Sequence, residues 1–192
     1  MKRLLLLFLL AIPFSSMADI DHVGNLDDDG VHLMWWPIVD PPAGWHHDDV
    51  SSRQNAVNAF VPDGETFADS PTVMYAKAEY KPRATHDSLQ ALIEDDIADF
   101  AQVDPPARAS RPAPMRIGDG FALQVVDFAP ADGVHGNWER IAYAEDGDYF
   151  LTFAVSARSA KARDTALDAF AAMVGSYHPG NANEPAPSPS LK

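Results

Sequence analysis

The chain has 192 residues, 28 of them acidic and 14 basic, and it contains no cysteine. That composition excludes a disulfide framework and any thiolate metal site or nucleophile. An excess of carboxylates on this scale repels nucleic acid and anionic membrane, which gain affinity through Lys and Arg.

Met1-Lys2-Arg3 precedes an apolar run from Leu4 to Ile12, then Pro13 and a small-residue stretch ending Ser16-Met17-Ala18. A basic start, a short apolar core and small residues before a cut make residues 1–18 a signal peptide cleaved after Ala18. The run is about half of what a bilayer span requires, so no transmembrane segment is expected in the mature chain. The expected location is periplasmic or secreted. Without Lys2 and Arg3 the balance becomes 12 basic against 28 acidic residues, a net of −16. A cationic partner suits such a surface.

Residues 19–178 are expected to form one globular domain, since that length supports one core but not two comfortably. Asp19 to Gly30 is acidic and turn-rich. Asn25, Asp27, Asp29 and Gly30 match the first half of a calcium loop, but its twelfth position, which needs a bidentate Glu, is Trp36. A solvated turn leading into a strand fits better. Val31–Trp36 then reads as that strand, closed by Pro37. Pro41-Pro42-Ala43-Gly44 is a rigid turn, and Asp49–Asn58 reads as a short helix with Asp48 or Asp49 near its N-cap.

Thr72–Tyr80 alternates as a strand does, with Met74, Ala76 and Ala78 on one face. A helix is expected from about His86 to Val103, capped by Thr85, with Leu89, Leu92, Ile93, Ile97, Phe100 and Val103 inward. Glu94, Asp95, Asp96 and Asp99 are placed on its solvated side. Asp104–Pro114 reads as a Pro-rich loop and Gly118–Phe128 as a strand. Asp146-Gly147 sits between two β-rich runs, Trp138–Glu145 and Asp148–Ala157, and is the pair a type I′ hairpin turn prefers. In that register Tyr143 opposes Phe150 and Ile141 opposes Thr152. Both faces of this hairpin are largely apolar, so it reads as the centre of a sheet covered on both sides. Ser159 caps a last helix, Ala160–Tyr177. Residues 179–192 are Pro-rich, lack an apolar run, and are expected to be a disordered tail.

The fold class expected is α+β, a central antiparallel β-sheet flanked by helices in an α/β/α sandwich. Pro42-Ala43-Gly44-Trp45, Phe60-Val61-Pro62-Asp63-Gly64, Gly118-Asp119-Gly120-Phe121, the run Tyr149–Phe153 and Val174-Gly175-Ser176-Tyr177 follow this order of elements. On these residues the stretch from about Val31 to Tyr177 resembles the Mog1/PsbP-like fold, and especially the bacterial periplasmic DcrB-like proteins. The resemblance implies a non-catalytic accessory, assembly or partner-binding module. It carries no functional residue over, because that group shares no active-site motif.

Catalytic signatures are absent from the sequence: there is no G-x-S-x-G elbow, no H-E-x-x-H, and no G-x-x-x-x-G-K-[ST]. No cofactor is expected. Two clusters remain. His46, His47 and Asp48 combine imidazole and carboxylate and could hold Zn²⁺, although adjacent side chains point apart on a strand. Trp35, Trp36 and Trp45 lie beside prolines and could line an apolar groove, with at least one of the adjacent pair buried. The function expected is an exported, non-enzymatic accessory or binding module recognising a protein or small apolar ligand. The alternative is a metal-assisted hydrolase using His46, His47 and nearby Asp residues.

Overall fold

The structure, a computed structural model, describes residues 19–27, 30–103, 106–118, 120–133 and 135–180. The signal peptide expected over residues 1–18 and most of the expected Pro-rich tail lie outside the described residues. β1 (Ile20–Asp27) and β2 (Gly30–Pro37) form an antiparallel hairpin, followed by β3 (Trp45–His47), α1 (Asp49–Asn55) and β4 (Asn58–Pro62). β5 (Thr72–Tyr80) and α2 (Leu89–Gln102) come next, then β6 (Ala107–Ser110), β7 (Met115–Ile117) and β8 (Phe121–Pro130). The chain closes with β9 (Trp138–Asp146), β10 (Tyr149–Ala157) and α3 (Ala160–Gly175).

All the described strand pairs are antiparallel, in the order β1-β2-β5-β10-β9-β8-β6. β10 is buried along its whole length, as two apolar faces require of a central strand. Leu151, Phe153 and Val155 face Phe170, Met173 and Val174 of α3, while Phe150 and Ala154 face Leu92 and Ile93 of α2. Each such aliphatic or aromatic side chain contributes about 1.5–3 kcal/mol by leaving water. Two helices on opposite faces of one antiparallel sheet make the α/β/α sandwich.

The helix expected over Asp49–Asn58 stops at Asn55, because Ala56 takes the left-handed conformation at φ +56° and Asn58 opens β4. Five larger details depart from the sequence expectation. Asp19–Gly30 is not simply a turn, because Ile20–Asp27 pairs along the full length of β2. Its Asp, Asn and Gly residues have low strand propensity, which tertiary pairing overrides. Part of the weighed calcium loop lies outside the described residues, and the rest of its backbone belongs to these two strands. The loop after α2 contains β6, paired with β8. α2 starts later than expected, with the Ser88 hydroxyl rather than Thr85 accepting from the Ala91 N–H at 3.2 Å. Ser159 caps α3 in the same way.

The central turn is the fourth departure. Asp146 pairs with Tyr149, so Tyr143 opposes Thr152 and Ile141 opposes Ala154. The turn residues are Gly147 and Asp148, and Gly147 has φ +53° while Asp148 does not have positive φ. That is the pattern of a type II′ turn, with glycine at the first central position. Lys81 holds it there: its ammonium pairs with Glu145 and donates to the Gly147 carbonyl at 2.6 Å. The slip moves each partner by one full pleat, so every side chain keeps the face the alternation assigned.

The fifth departure concerns Asp96, which is half-buried rather than solvated. It lies four residues after Leu92 and four before Phe100, on the helix stripe that meets the sheet. There its Oδ2 accepts from the Tyr143 hydroxyl at 2.8 Å.

Candidate functional site

β3 is short, and its pairing with β4 decides what the histidines can do. Strand alternation sends His46 and His47 to opposite sides. His46 Nδ1 lies 3.6 Å from Asp63 Oδ1, with both side chains exposed. His47 Nε2 lies 2.9 Å from Ser52 Oγ. The Ser52 hydroxyl donates its one proton to the Asp48 carbonyl at 2.6 Å and accepts from the Ala59 N–H at 2.9 Å. With that proton committed, His47 must donate from Nε2, which leaves Nδ1 as the acceptor of the neutral ring.

Asp48 is the N-cap of α1. Its Oδ1 accepts from the Ser51 N–H at 2.9 Å, and its Oδ2 accepts from the Ser51 hydroxyl at 3.0 Å and the Phe67 N–H at 3.3 Å. The Ser51 N–H holds the carboxyl below the ordinary aspartate range; partial burial opposes this, and the Ser51 hydroxyl and Phe67 N–H add to it. The structure therefore gives His46, His47 and Asp48 three different partners and does not bring them together. Among the described residues no group of three or more His, Asp or Glu side chains is placed to hold a metal ion.

A stability consequence follows from the cap. Asp48→Ala is expected to cost about 1–2 kcal/mol at pH 7, since it removes a helix cap and a tie to the Phe67 loop. The sign with pH is fixed by the lowered folded pKa. The contribution is complete above the unfolded aspartate value of about 3.9 and is lost as pH falls through the lower folded value. Urea unfolding of both proteins at pH 7 and in acid checks this: the gap between them should narrow in acid.

The three tryptophans are divided among three environments. Trp35 is half-buried, packs against the core on the α3 side, and lies tilted on Tyr80 with ring centroids 5.7 Å apart. Trp36 points the other way, is only 5 % exposed, and meets His47 edge-on at 6.2 Å. His47 in turn leans on Phe60 at 5.6 Å. Trp45 is half-buried beside an apolar cleft of about 420 Å³ formed with Pro62, Pro71 and the small residues Ala162, Ala166 and Ala169 of α3.

Trp36 and His47 share a cleft of about 340 Å³ with Val23, Ile38, Arg53 and Phe60. The Trp36 indole Nε1 is buried and has no hydrogen-bond partner among the described residues. A buried donor without an acceptor is costly, by roughly 1–3 kcal/mol, and is uncommon enough to need a reason. At the mouth of this cleft Ile38 is 47 % exposed. Sequence reasoning selected Trp36 and His47 for different roles. It passed over Ile38, whose only signal was an isoleucine placed directly after the strand-ending Pro37.

A third concavity, of about 480 Å³, opens between α2 and the α1–β4 turn. Tyr75, Lys77, Ile141 and Thr152 belong to its floor, Asp96 and Phe100 to the α2 wall, and Val57 and Phe67 to the facing wall. Burial pushes the Asp96 carboxyl up, against the Tyr143 hydrogen bond and the Lys77 charge, which pull it down. Burial likewise raises Glu139, against the hydrogen bond from the Ser156 hydroxyl, which reaches its Oε1 at 2.8 Å, and the Asn137 side chain, both of which pull it down. The Tyr75 and Tyr143 phenols are raised by burial first, and then by these carboxylates. Tyr75, Asp96, Glu139 and Tyr143 thus share one poorly hydrated space, and no sequence pattern joined them.

No family model matches the sequence, and no curated protein is significantly similar to it. Among solved structures, the chain is similar to a variant of Mog1 at 12 % identity, covering 84 % of this chain and 97 % of that one, with a TM-score of 0.47. It is similar to the Ran-binding protein Mog1p of Saccharomyces cerevisiae at 12 % identity, over 83 % and 95 % of the two chains, with a TM-score of 0.44. It is also similar to cyanobacterial PsbP of Synechocystis at 15 % identity, over 89 % and 98 %, with a TM-score of 0.45.

Proposed function

We propose that the protein is an exported, non-enzymatic accessory or binding module, and that it recognises a protein or apolar ligand at the Trp36–His47 cleft. The observation that carries this is the buried Trp36 indole N–H, which lacks an acceptor among the described residues, on a side chain that lines a cleft edged by exposed Ile38. An apolar group entering there is covered by Trp36, Phe60 and Ile38, and a turn of the Trp36 ring, whose Nε1 is closed to water in the unliganded fold, brings the N–H to a carbonyl on it. Export rests on the Met1–Ala18 pattern. Among the described residues no helix is long and apolar enough to cross a membrane. The net of −16 over residues 19–192 favours a partner with a basic surface, because complementary charge speeds encounter. The alternative of a metal-assisted hydrolase draws no support from the divergent partners of His46, His47 and Asp48.

The test is capture from the periplasmic extract of the host with three baits: the unaltered protein, Trp36→Phe and Ile38→Asp. Trp36→Phe keeps an aromatic ring but removes the N–H, and Ile38→Asp places a charge at the mouth without touching the core. One partner retained by the unaltered bait, weakened by salt and lost from Ile38→Asp, is the expected result. Identical capture by all three baits removes this cleft from the function.

A further inference from the structure

We propose that the cleft between α2 and the α1–β4 turn is a second site, built for a small zwitterion: an α-amino acid or dipeptide with an apolar side chain. The inference is independent of the Trp36 cleft, which lies elsewhere on the domain and shares no lining residue with it.

Charges of both signs line this one cavity. Lys77 rises from β5 and Asp96 descends from α2, and they form no ion pair with each other. Each has a partner that leaves capacity unused. The Asp96 Oδ2 holds the Tyr143 hydroxyl, so Oδ1 is open. Lys77 Nζ reaches Glu79 only at 3.5 Å, and an ammonium has three donors. Two hydroxyls stand beside these groups: Thr152 is the cross-strand neighbour of Lys77, and Tyr75 precedes Lys77 by two residues on the same face. Neither hydroxyl has a hydrogen-bond partner among the described residues.

That arrangement selects a ligand by elimination. A simple anion meets Asp96, with Glu79 and Glu139 nearby. A simple cation meets the Lys77 ammonium. A neutral apolar molecule leaves both charges desolvated and unpaired, which is expensive. A zwitterion satisfies both: its carboxylate lies on Lys77 and the Thr152 hydroxyl, and its ammonium on Asp96 Oδ1 and the Tyr75 hydroxyl. Of the remaining lining, Ala56, Val57, Phe67, Phe100 and Ile141 are apolar and take the side chain, with Asn55 the one further polar residue. A volume of about 480 Å³ exceeds the roughly 30 Å³ of one water many-fold, so the cavity has room for a molecule of this size.

The experiment titrates the purified protein with L-phenylalanine and L-alanyl-L-phenylalanine, followed by amide NMR shifts. Phenethylamine and 3-phenylpropionate serve as probes that each lack one charge. The zwitterions are expected to saturate shifts around Tyr75, Asp96 and Thr152, and to bind at least about tenfold more tightly than either single-charge probe. Lys77→Met should weaken phenylalanine about tenfold and leave phenethylamine unweakened. Asp96→Asn, which can still accept from Tyr143, should weaken phenylalanine similarly and spare 3-phenylpropionate. Equal binding of all four probes, insensitive to both variants, overturns the zwitterion assignment. Absence of shifts at these residues with every probe overturns the site itself.

Discussion

Phe153→Ala is expected to lower the unfolding free energy by about 3–5 kcal/mol, the range for truncating a fully enclosed phenylalanine. Phe153 is 0 % exposed, lies on the central strand, and has its ring 5.6 Å from that of Tyr177. Its neighbours across the sheet are Ala76 on β5 and Ala142 on β9. Two alanines flank the ring, so the strand neighbours have no long side chains to swing into the space. The cavity would stay open, and the upper part of the range applies. A loss below about 1.5 kcal/mol in urea unfolding, with unchanged m-value, would mean the core collapses around the site.

Asp146→Ala comes second, at about 2–4 kcal/mol, although it removes no core volume of note. Asp146 is 4 % exposed, and its Oδ2 accepts from both the Tyr177 hydroxyl at 2.8 Å and the Gly180 N–H at 2.9 Å. Truncation leaves a buried phenol without its acceptor and releases the segment after α3, each costing about 1–3 kcal/mol. Tyr177→Phe removes the donor and leaves Asp146 bonded to Gly180, so it should cost clearly less than Asp146→Ala. A double-mutant cycle separates the two: strong coupling is expected, because both act through one oxygen. Additive losses would show that the pair does not communicate.

Asp146 also explains what the sequence could not show about the central turn. Asp-Gly reads as a type I′ pair, which takes Asp146 out of the strand. In the fold that carboxylate is drawn inward by residues 31 and 34 positions later, and Lys81 fixes the loop from a distant element. Alternation survived this, because a shift of one pleat conserves faces, so the layering of β5, β9 and β10 was legible. Capping of α3 was legible for a similar reason, since Ser159 acts on a donor only three residues away. β1 was not legible, because its stability comes from β2 and not from its own Asp- and Gly-rich residues.

The site residues divide along the same line. Opposite placement of Trp35 and Trp36 follows from adjacency in a strand. That Trp36 meets His47 depends on a loop between them, and no local pattern encodes it. Asp96 was obscured by its neighbours: Glu94, Asp95 and Asp99 make a solvated run, and only the spacing to Leu92 and Phe100 marks it as different. Its partner Tyr143 lies 47 residues away on β9.

The ends of the strand order carry a further consequence, one for behaviour at high concentration. β1 and β6 are the outermost strands, and each carries open backbone donors and acceptors that another chain could extend. β6 has only four residues, with Pro106 before it and Pro112 and Pro114 after it, so an added strand finds little to grip. β1 is longer, but its exposed Asp21 belongs to a strongly anionic surface, and a second copy approaching edge to edge brings the same charge. One end of this strand order resists growth by brevity and proline, the other by repulsion. The same brevity protects β3, a three-residue strand paired, among the described residues, only to β4, so the protein can remain concentrated without templating fibrils.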